Sequence, residues 1–449
     1  MKLWPSIRQA CAAGCLAGMA VWLCDSGSLS RAAEFLARRV DPNAGARPYS
    51  PNADTAVWIS RGRGAKTHSL VAVSNGGNPQ PDATAPADRG ASARTIVTVS
   101  KSTPELPRKS EGDVIELKDG RLLLVSMEFG GDGSDFAATR FVSHESSDGG
   151  LTWGRQRVIT ETRKGDLNVY SPNLIRAQDG GILLLFMRQH RPGLLTNHVW
   201  KSTDEGATFS PYAEFVAQRD LALCNATVKR LASGRLLLPA NPPVPGKPAE
   251  TGPYAATTLY SDDDGRTWQV SKSRVELPMR GAMEPHVEQT ADGRVLMVMR
   301  NQLGKLYFSE SKDDGVTWSL AFASSLTAPE SCPELTRIPG TNDLLMIWNN
   351  SFDPKFRSHF GKRSPLTAAV SHDQGRTWQR VRDIETDPTR AFSNPGCRFT
   401  RAGRAIINYW TCEYLPNGAM QDVIDLRVAV IDKSWFYDES AQGQARDKP

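Results

Sequence analysis

The sequence predicts an all-β fold: a six-bladed β-propeller with Asp-box repeats, its ring closed by strands from both ends of the chain. Three observations carry this. First, the turn pattern Ser-x-Asp-x-Gly-x-Thr-Trp, here called the Asp box, is written five times. The copies are Ser146–Trp153, Ser202–Phe209, Ser261–Trp268, Ser311–Trp318 and Ser371–Trp378. Their aspartates, Asp148, Asp204, Asp263, Asp313 and Asp373, stand 56, 59, 50 and 60 residues apart, a period typical of repeat architectures. Second, a glycine or asparagine turn followed by an apolar strand occurs six times. The turns are Asp119-Gly120, Asp179-Gly180, Ser233-Gly234, Asp292-Gly293, Gly340-Thr341-Asn342 and Ala402-Gly403. Third, one strand-like segment (95–99) precedes the first unit and one (425–430) follows the last turn–strand pair.

Each element follows from local chemistry. In the Asp box, Asp and Ser bond nearby backbone amides, Gly supplies the positive φ, and Thr-Trp starts a strand whose ring plugs the gap between units. These aspartates are expected to hold turns and not to do chemistry. Short apolar strands between Gly, Asp and Asn turns read as hairpins. Six units of about four strands suit a six-bladed ring. The last unit has no box, which predicts that the two lone segments share its sheet.

The flanks read differently. Lys2 and Arg8 precede the apolar stretch 10–23, and Ser30-Arg31-Ala32 resembles a signal-peptidase site. Residues 1–32 are therefore expected to be an export signal, and the mature chain to be secreted or periplasmic. The apolar run is too short and glycine-rich for a stable membrane span. Residues 33–93, rich in Pro, Asn, Gly, Ala and Ser, read as a flexible lead-in, 94–437 as the propeller, and 438–449 as a tail.

The formal net charge is +5. It falls to about +3 without the signal and has no basic cluster, so a nucleic-acid partner is not expected. Cys224, Cys332, Cys397 and Cys412 remain after export. They lack CxxC spacing, and no His–carboxylate cluster has ligand spacing, so neither metal nor cofactor is expected. Export permits disulfides, but the sequence does not pair these cysteines.

Antiparallel order fixes where a site would lie. If the four strands of a blade are A to D, the boxes turn C into D on one face. The starts of A and the ends of B converge on the other. Those positions supply Arg108, Glu111, Asn225, Glu284, Asp135, Arg188, Arg300, Arg363 and Tyr409. Arginines from separate blades facing one cavity point to an anionic ligand, most simply a sugar carboxylate gripped by planar forks. The competing reading is that each arginine pairs with a local carboxylate.

At these residues the chain resembles the sialidase superfamily, six-bladed propellers with Asp-box (BNR) repeats, over roughly 94–437. Met283-Glu284-Pro285 resembles the segment holding that family's catalytic glutamate. Met299-Arg300-Asn301 resembles the second carboxylate-binding arginine, and Arg363 stands eight residues before a box serine as the third often does. Asp135 matches the acid/base aspartate. Two departures stand out. The first arginine of the family lies in an Arg-Ile-Pro segment, whereas Arg108 lies in Pro107-Arg108-Lys109-Ser110. The nucleophilic tyrosine is replaced by Phe392 in Ala391-Phe392-Ser393.

The resemblance implies an exo-sialidase-like glycosidase on a terminal acidic sugar. Arg300 and Arg363 would clamp its carboxylate, with Arg108 or Arg188 completing the grip, Glu284 as helper and Asp135 as acid/base. Tyr409, which ends the strand after Phe392, is expected on the same face. Attack by Tyr409, or by a water activated by Glu284 or Asp135, stays open. So do a hydrolase or lyase acting on another acidic, uronate-type glycan, with His190 or Tyr409 as base, and a non-catalytic glycan-binding propeller.

Overall fold

The computed structural model describes residues 94–215, 221–247, 252–356 and 359–438. The expected signal, the lead-in and all but the first residue of the expected tail lie outside them.

Six antiparallel sheets follow one another along the chain. Blade I comprises Arg108–Glu116, Leu122–Phe129, Thr139–Ser146 and Gly154–Glu161. Blade II comprises Asn168–Arg176, Ile182–Arg191, Leu194–Ser202 and Ser210–Phe215. Blade III has a first strand broken into Ala222–Leu223 and Lys229–Arg230, then Leu236–Asn241 and Ala255–Ser261, with Gln269–Val270 and Val275–Glu276 outside. Blade IV comprises Met283–Gln289, Val295–Arg300, Lys305–Ser311 and Phe322–Thr327. Blade V comprises Glu334–Arg337, Leu344–Asn349, Leu366–Ser371 and Gln379–Glu385. Blade VI takes Arg390–Phe399, Arg404–Glu413 and Asp425–Asp432 from the end of the propeller, and its outer strand Arg94–Ser100 from the beginning. The ring is closed as the two lone segments predict.

The second strand of each blade shows why these runs are apolar throughout and not alternating. Leu123, Val125 and Met127 pack with blade II, while Leu122 and Leu124 pack with blade VI. Likewise Val295, Met297 and Met299 face blade III, and Leu296 and Val298 face blade V. A strand buried on both sides has no polar face to alternate with. Each large aliphatic side chain so buried stabilises the ring by about 1.5–3 kcal/mol.

The boxes form the expected C-to-D turns. Asp148 accepts from the Leu151 amide (3.0 Å), the Thr152 amide (2.9 Å) and the Thr152 hydroxyl (2.6 Å), and Ser146 Oγ donates to it (2.8 Å). Partial burial alone would raise its carboxyl, but these bonds prevail and hold it down at about 2. The box glycine also lets the turn lie on the preceding blade. A Cβ on Gly206 (φ +81°) would sit 2.4 Å from Leu123 Cδ2, whereas one on Gly120 (φ +90°) would meet nothing within 4 Å. Between turns, the amides of Lys118 and Gln178 donate to Glu205 and Asp264 of the following blade.

Around the axis the first strands lie against one another. Arg398 of blade VI forms a two-pronged ion pair with buried Asp113 of blade I (3.1 and 2.8 Å), and Asp113 also accepts the Leu174 amide of blade II.

These contacts separate two glycine substitutions. Gly120→Ala is expected to cost about 1 kcal/mol, the price of a left-handed alanine. Gly206→Ala should cost at least about 2 kcal/mol more, because Leu123 must also move. Urea unfolding midpoints of the two variants measure the difference, and equal midpoints would show that the turn does not bear on the neighbouring blade.

Candidate functional site

The site face is built by one repeated irregularity. In four blades the first strand is bulged near its start, between Ser110 and Gly112, Tyr170 and Asn173, Met283 and His286, and Ser393 and Gly396. A residue in the left-handed region marks each bulge: Glu111 (φ 27°), Ser171 (60°), Glu284 (40°) and Asn394 (52°), with Ala226 (59°) at the matching place in blade III. A bulge re-aims the side chains beside it. Asn225 reaches the Gly112 carbonyl across the axis (2.9 Å), and Asn408 donates to the same oxygen (2.9 Å). The floor beneath the site is therefore closed by side-chain amides of blades III and VI meeting on the backbone of blade I.

Two buried groups of charge stand at this end. In blade I, Arg108 pairs with Asp135 Oδ1 (2.5 Å) and Glu111 Oε1 (2.7 Å), and its Nε donates to Ser110 (2.9 Å). The Arg108 guanidinium lies 4.1 Å from the Phe129 ring centroid. The Tyr170 hydroxyl donates to Asp135 (2.7 Å). Burial pushes the Asp135 carboxyl up to about 6, against the pull of Arg108 and the Tyr170 bond. Burial and the Asp135 charge push the Tyr170 phenol well above its ordinary value, so it stays a neutral donor.

The second group spans blades IV, V and VI. Arg300 bonds Glu284 (3.1 Å) and Glu330 (3.1 Å), and Arg280 also pairs with Glu330. Gln302 donates to the other Glu330 oxygen (2.8 Å). Arg363, only 5 % exposed, reaches the Glu330 backbone carbonyl (3.3 Å), and its Cζ lies 5.6 Å from the Trp410 ring centroid. Its backbone amide is fixed by the Tyr414 hydroxyl (2.7 Å). Among the described residues Arg363 has no carboxylate partner, and its Nε has no hydrogen bond. Burial and the neighbouring Arg300 charge push its pKa down. His359 beside it is held neutral, its pKa driven well below the usual range by burial and by Arg363. Among the described residues, three arginines thus face two carboxylates.

The structure therefore brings together Arg108, Glu111 and Asp135, and separately Glu284, Arg300 and Arg363. Asn225 stands at the axis, in the floor. Two expected site residues are placed elsewhere, and strand parity is the reason. Tyr409 alternates with Trp410, falls on the side of Ala405 and Ile407, and is fully buried between blades V and VI. Its hydroxyl donates to Glu385 (2.8 Å), which also holds Arg427 (2.8 Å), and its ring packs on Phe392. Arg188 lies on the blade I side of its strand, bonded to Thr160 (2.7 Å), the Glu161 carbonyl (3.1 Å) and Asp166 (3.4 Å). His190 joins Asp166 there as well (2.8 Å). Sequence reasoning missed Arg280 and the tie between Tyr170 and Asp135. Arg280 stands four residues before Glu284, on the approach to the first strand of blade IV, a position that could have flagged it. The four cysteines of the propeller are free and buried.

Tyr409→Phe is accordingly expected to lower unfolding free energy by about 1.5–3 kcal/mol, one hydrogen bond to a charged acceptor, and to leave turnover unchanged. Chemical denaturation and steady-state rates on the same preparation test it; a large fall in kcat with stability intact would return Tyr409 to the site.

Comparison with known proteins agrees with this architecture. Residues 120–407 match the family described as BNR repeat-like domain. The sialidase of Micromonospora viridifaciens is 25% identical over 309 residues, which is 61% of this chain but only 44% of that protein. The chain thus spans less than half the length of this relative. A protein of unknown function from Dyadobacter fermentans superposes with a TM-score of 0.56 at 19% identity, over 75% of this chain and 98% of the other. The NanB sialidase of Streptococcus pneumoniae gives 0.58 at 13% identity, over 76% and 70%. No helix among the described residues is long and apolar enough to cross a membrane. Blade count, Asp boxes and family match together place the chain in the BNR repeat-like domain family, as a propeller of the sialidase superfamily.

Proposed function

We propose that this protein is an exported glycoside hydrolase that removes a terminal acidic sugar, with sialic acid the first candidate. The observation that carries this is the buried Arg363 guanidinium, set beside Arg300 and, among the described residues, hydrogen-bonded only to a carbonyl. A desolvated cation in that state gains most from an anion that brings its own charge and acceptors. A sugar carboxylate would bridge Arg363 and Arg300, with Arg280 supporting them through Glu330.

Asp135 serves as the general acid. Its carboxyl, raised to about 6, holds a proton at mildly acidic pH and can pass it to the leaving oxygen. Tyr170 and Arg108 hold it in place. Neither Tyr409 nor Tyr170 takes the part of nucleophile. Phe392 lacks a hydroxyl, Tyr409 is committed to Glu385, and the Tyr170 phenol is harder to ionise than a free one. Attack falls to water with Glu284 as base, and the reaction inverts. Phe392 also favours a second reading, a glycan-binding propeller without turnover; binding of sialosides with no product would select it.

Release of sugar from a fluorogenic sialoside is the primary test. Arg363→Ala should lower kcat/KM by about 10- to 100-fold, the loss of charged hydrogen bonds, with unchanged circular dichroism. A folded variant of full activity ends the assignment of this pocket.

The pH profile tests Asp135 separately. Because the acid must carry its proton, kcat/KM should fall as pH rises through about 6. Asp135→Asn should be slow and lack that limb on a substrate with an activated leaving group. Persistence of the limb in Asp135→Asn would assign it to another residue.

A further inference from the structure

Below the arginine group, three side chains from three blades converge on the axis. Cys224 precedes the bulge position of blade III, His286 follows the bulge of blade IV, and Cys332 leads into the first strand of blade V. Cys224 Sγ lies 3.5 Å from Cys332 Sγ, and Cys332 Sγ lies 3.4 Å from His286 Nε2. All three ligand atoms fall within 4.8 Å of one another, and the residues are 3 %, 0 % and 1 % exposed.

We infer that Cys224, His286 and Cys332 form a zinc site that ties blades III, IV and V together at the propeller axis. A tetrahedral zinc with ordinary bond lengths would set its sulfurs about 3.8 Å apart and sulfur from nitrogen about 3.5 Å. The Cys224–Cys332 and Cys332–His286 spacings differ from these by a few tenths of an ångström or less. A disulfide would instead require the sulfurs to close to about 2.05 Å. The set of two thiolates and an imidazole is chemically that of zinc.

The surroundings fit the same ion. His286 Nδ1 lies 2.6 Å from Glu334 Oε2, a carboxylate–histidine pair that fixes the ring and turns the Nε2 lone pair toward the thiols. Glu334 is in turn faced by Lys229 Nζ at 3.6 Å. On binding, each thiol gives its proton to solvent as its Zn–S bond forms, and any proton on His286 Nε2 leaves likewise as the Zn–N bond forms, so the ion, two thiolates and a neutral imidazole leave no net charge among the ligands. Water completes the tetrahedron. The site is independent of the glycosidase reading and needs no activity to detect.

The test uses the full chain purified under reducing conditions, stripped with chelator, dialysed against zinc and then against buffer. Roughly one zinc per chain should remain by elemental analysis, with thiol reagents blocked at Cys224 and Cys332. Replacing zinc with cobalt(II) should give the thiolate-to-metal charge-transfer absorption of a sulfur-ligated ion. Cys332→Ser should lose retained metal, and Glu334→Gln should weaken zinc affinity about 10- to 100-fold while remaining folded by circular dichroism. Stripped wild type that retains no zinc, a mass two hydrogens lighter with Cys224 and Cys332 joined in one peptide, or zinc retained undiminished in Cys332→Ser would each overturn the inference.

Discussion

Everything at the working end of this propeller depends on a backbone constraint: inner strands enter the sheet through a residue in the left-handed region. Glu111 and Glu284 hold that conformation without being glycine. Each such residue costs about 1–3 kcal/mol and persists only where its surroundings over-determine it. Here they do. The strand beyond the bulge is paired along its length, and its neighbours across the axis fill the gap, as when Asn225 and Asn408 both take the Gly112 carbonyl. The bulge then presents a carboxylate where a regular strand would have buried it against the next blade. Box turns at the far end keep the blades fixed enough for that strain to hold.

The second strands obey a different rule. Their side chains point alternately at two neighbouring blades, so a polar residue near the end of such a strand points between blades, not over the axis. Arg188 and Tyr409 show the consequence, each finding its partners in an adjoining blade. Arg300 has the opposite parity: in step with Leu296 and Val298 it points toward blade V, where it meets Glu330 and, at the bulge of its own blade, Glu284.

That contrast explains what could be read from the chain alone. The turns are local chemistry, with every bond of the Asp148 box made within a few residues. Blade number, blade order and ring closure were therefore legible. So was the end of the ring at which Arg108, Asp135, Glu284 and Arg363 would lie, since antiparallel order alone decides it. Partner choice was not legible, because it depends on parity and on segments far apart in sequence. Tyr170 gave no sign of Asp135, nor Arg280 of Glu330. Cys224, His286 and Cys332 are separated by 62 and 46 residues, which defeats any search for close ligand spacing. Their separations are nevertheless near the blade period, and residues one period apart recur at the same height around an axis.

The two arginine environments also differ in kind. Arg108 is enclosed by Glu111, Asp135, Ser110 and the Phe129 ring, so its charge is answered inside the protein. Removing it would strand two buried carboxylates, and its natural role is to hold Asp135 in place. Arg363 is the reverse case: the neighbouring carboxylates are engaged by Arg300 and Arg280, and its own bond is to a backbone carbonyl. A guanidinium kept from water with so little compensation stores free energy that an arriving anion can release. On the proposed reading, the saturated arginine positions the proton donor and the undersatisfied one seats the substrate charge.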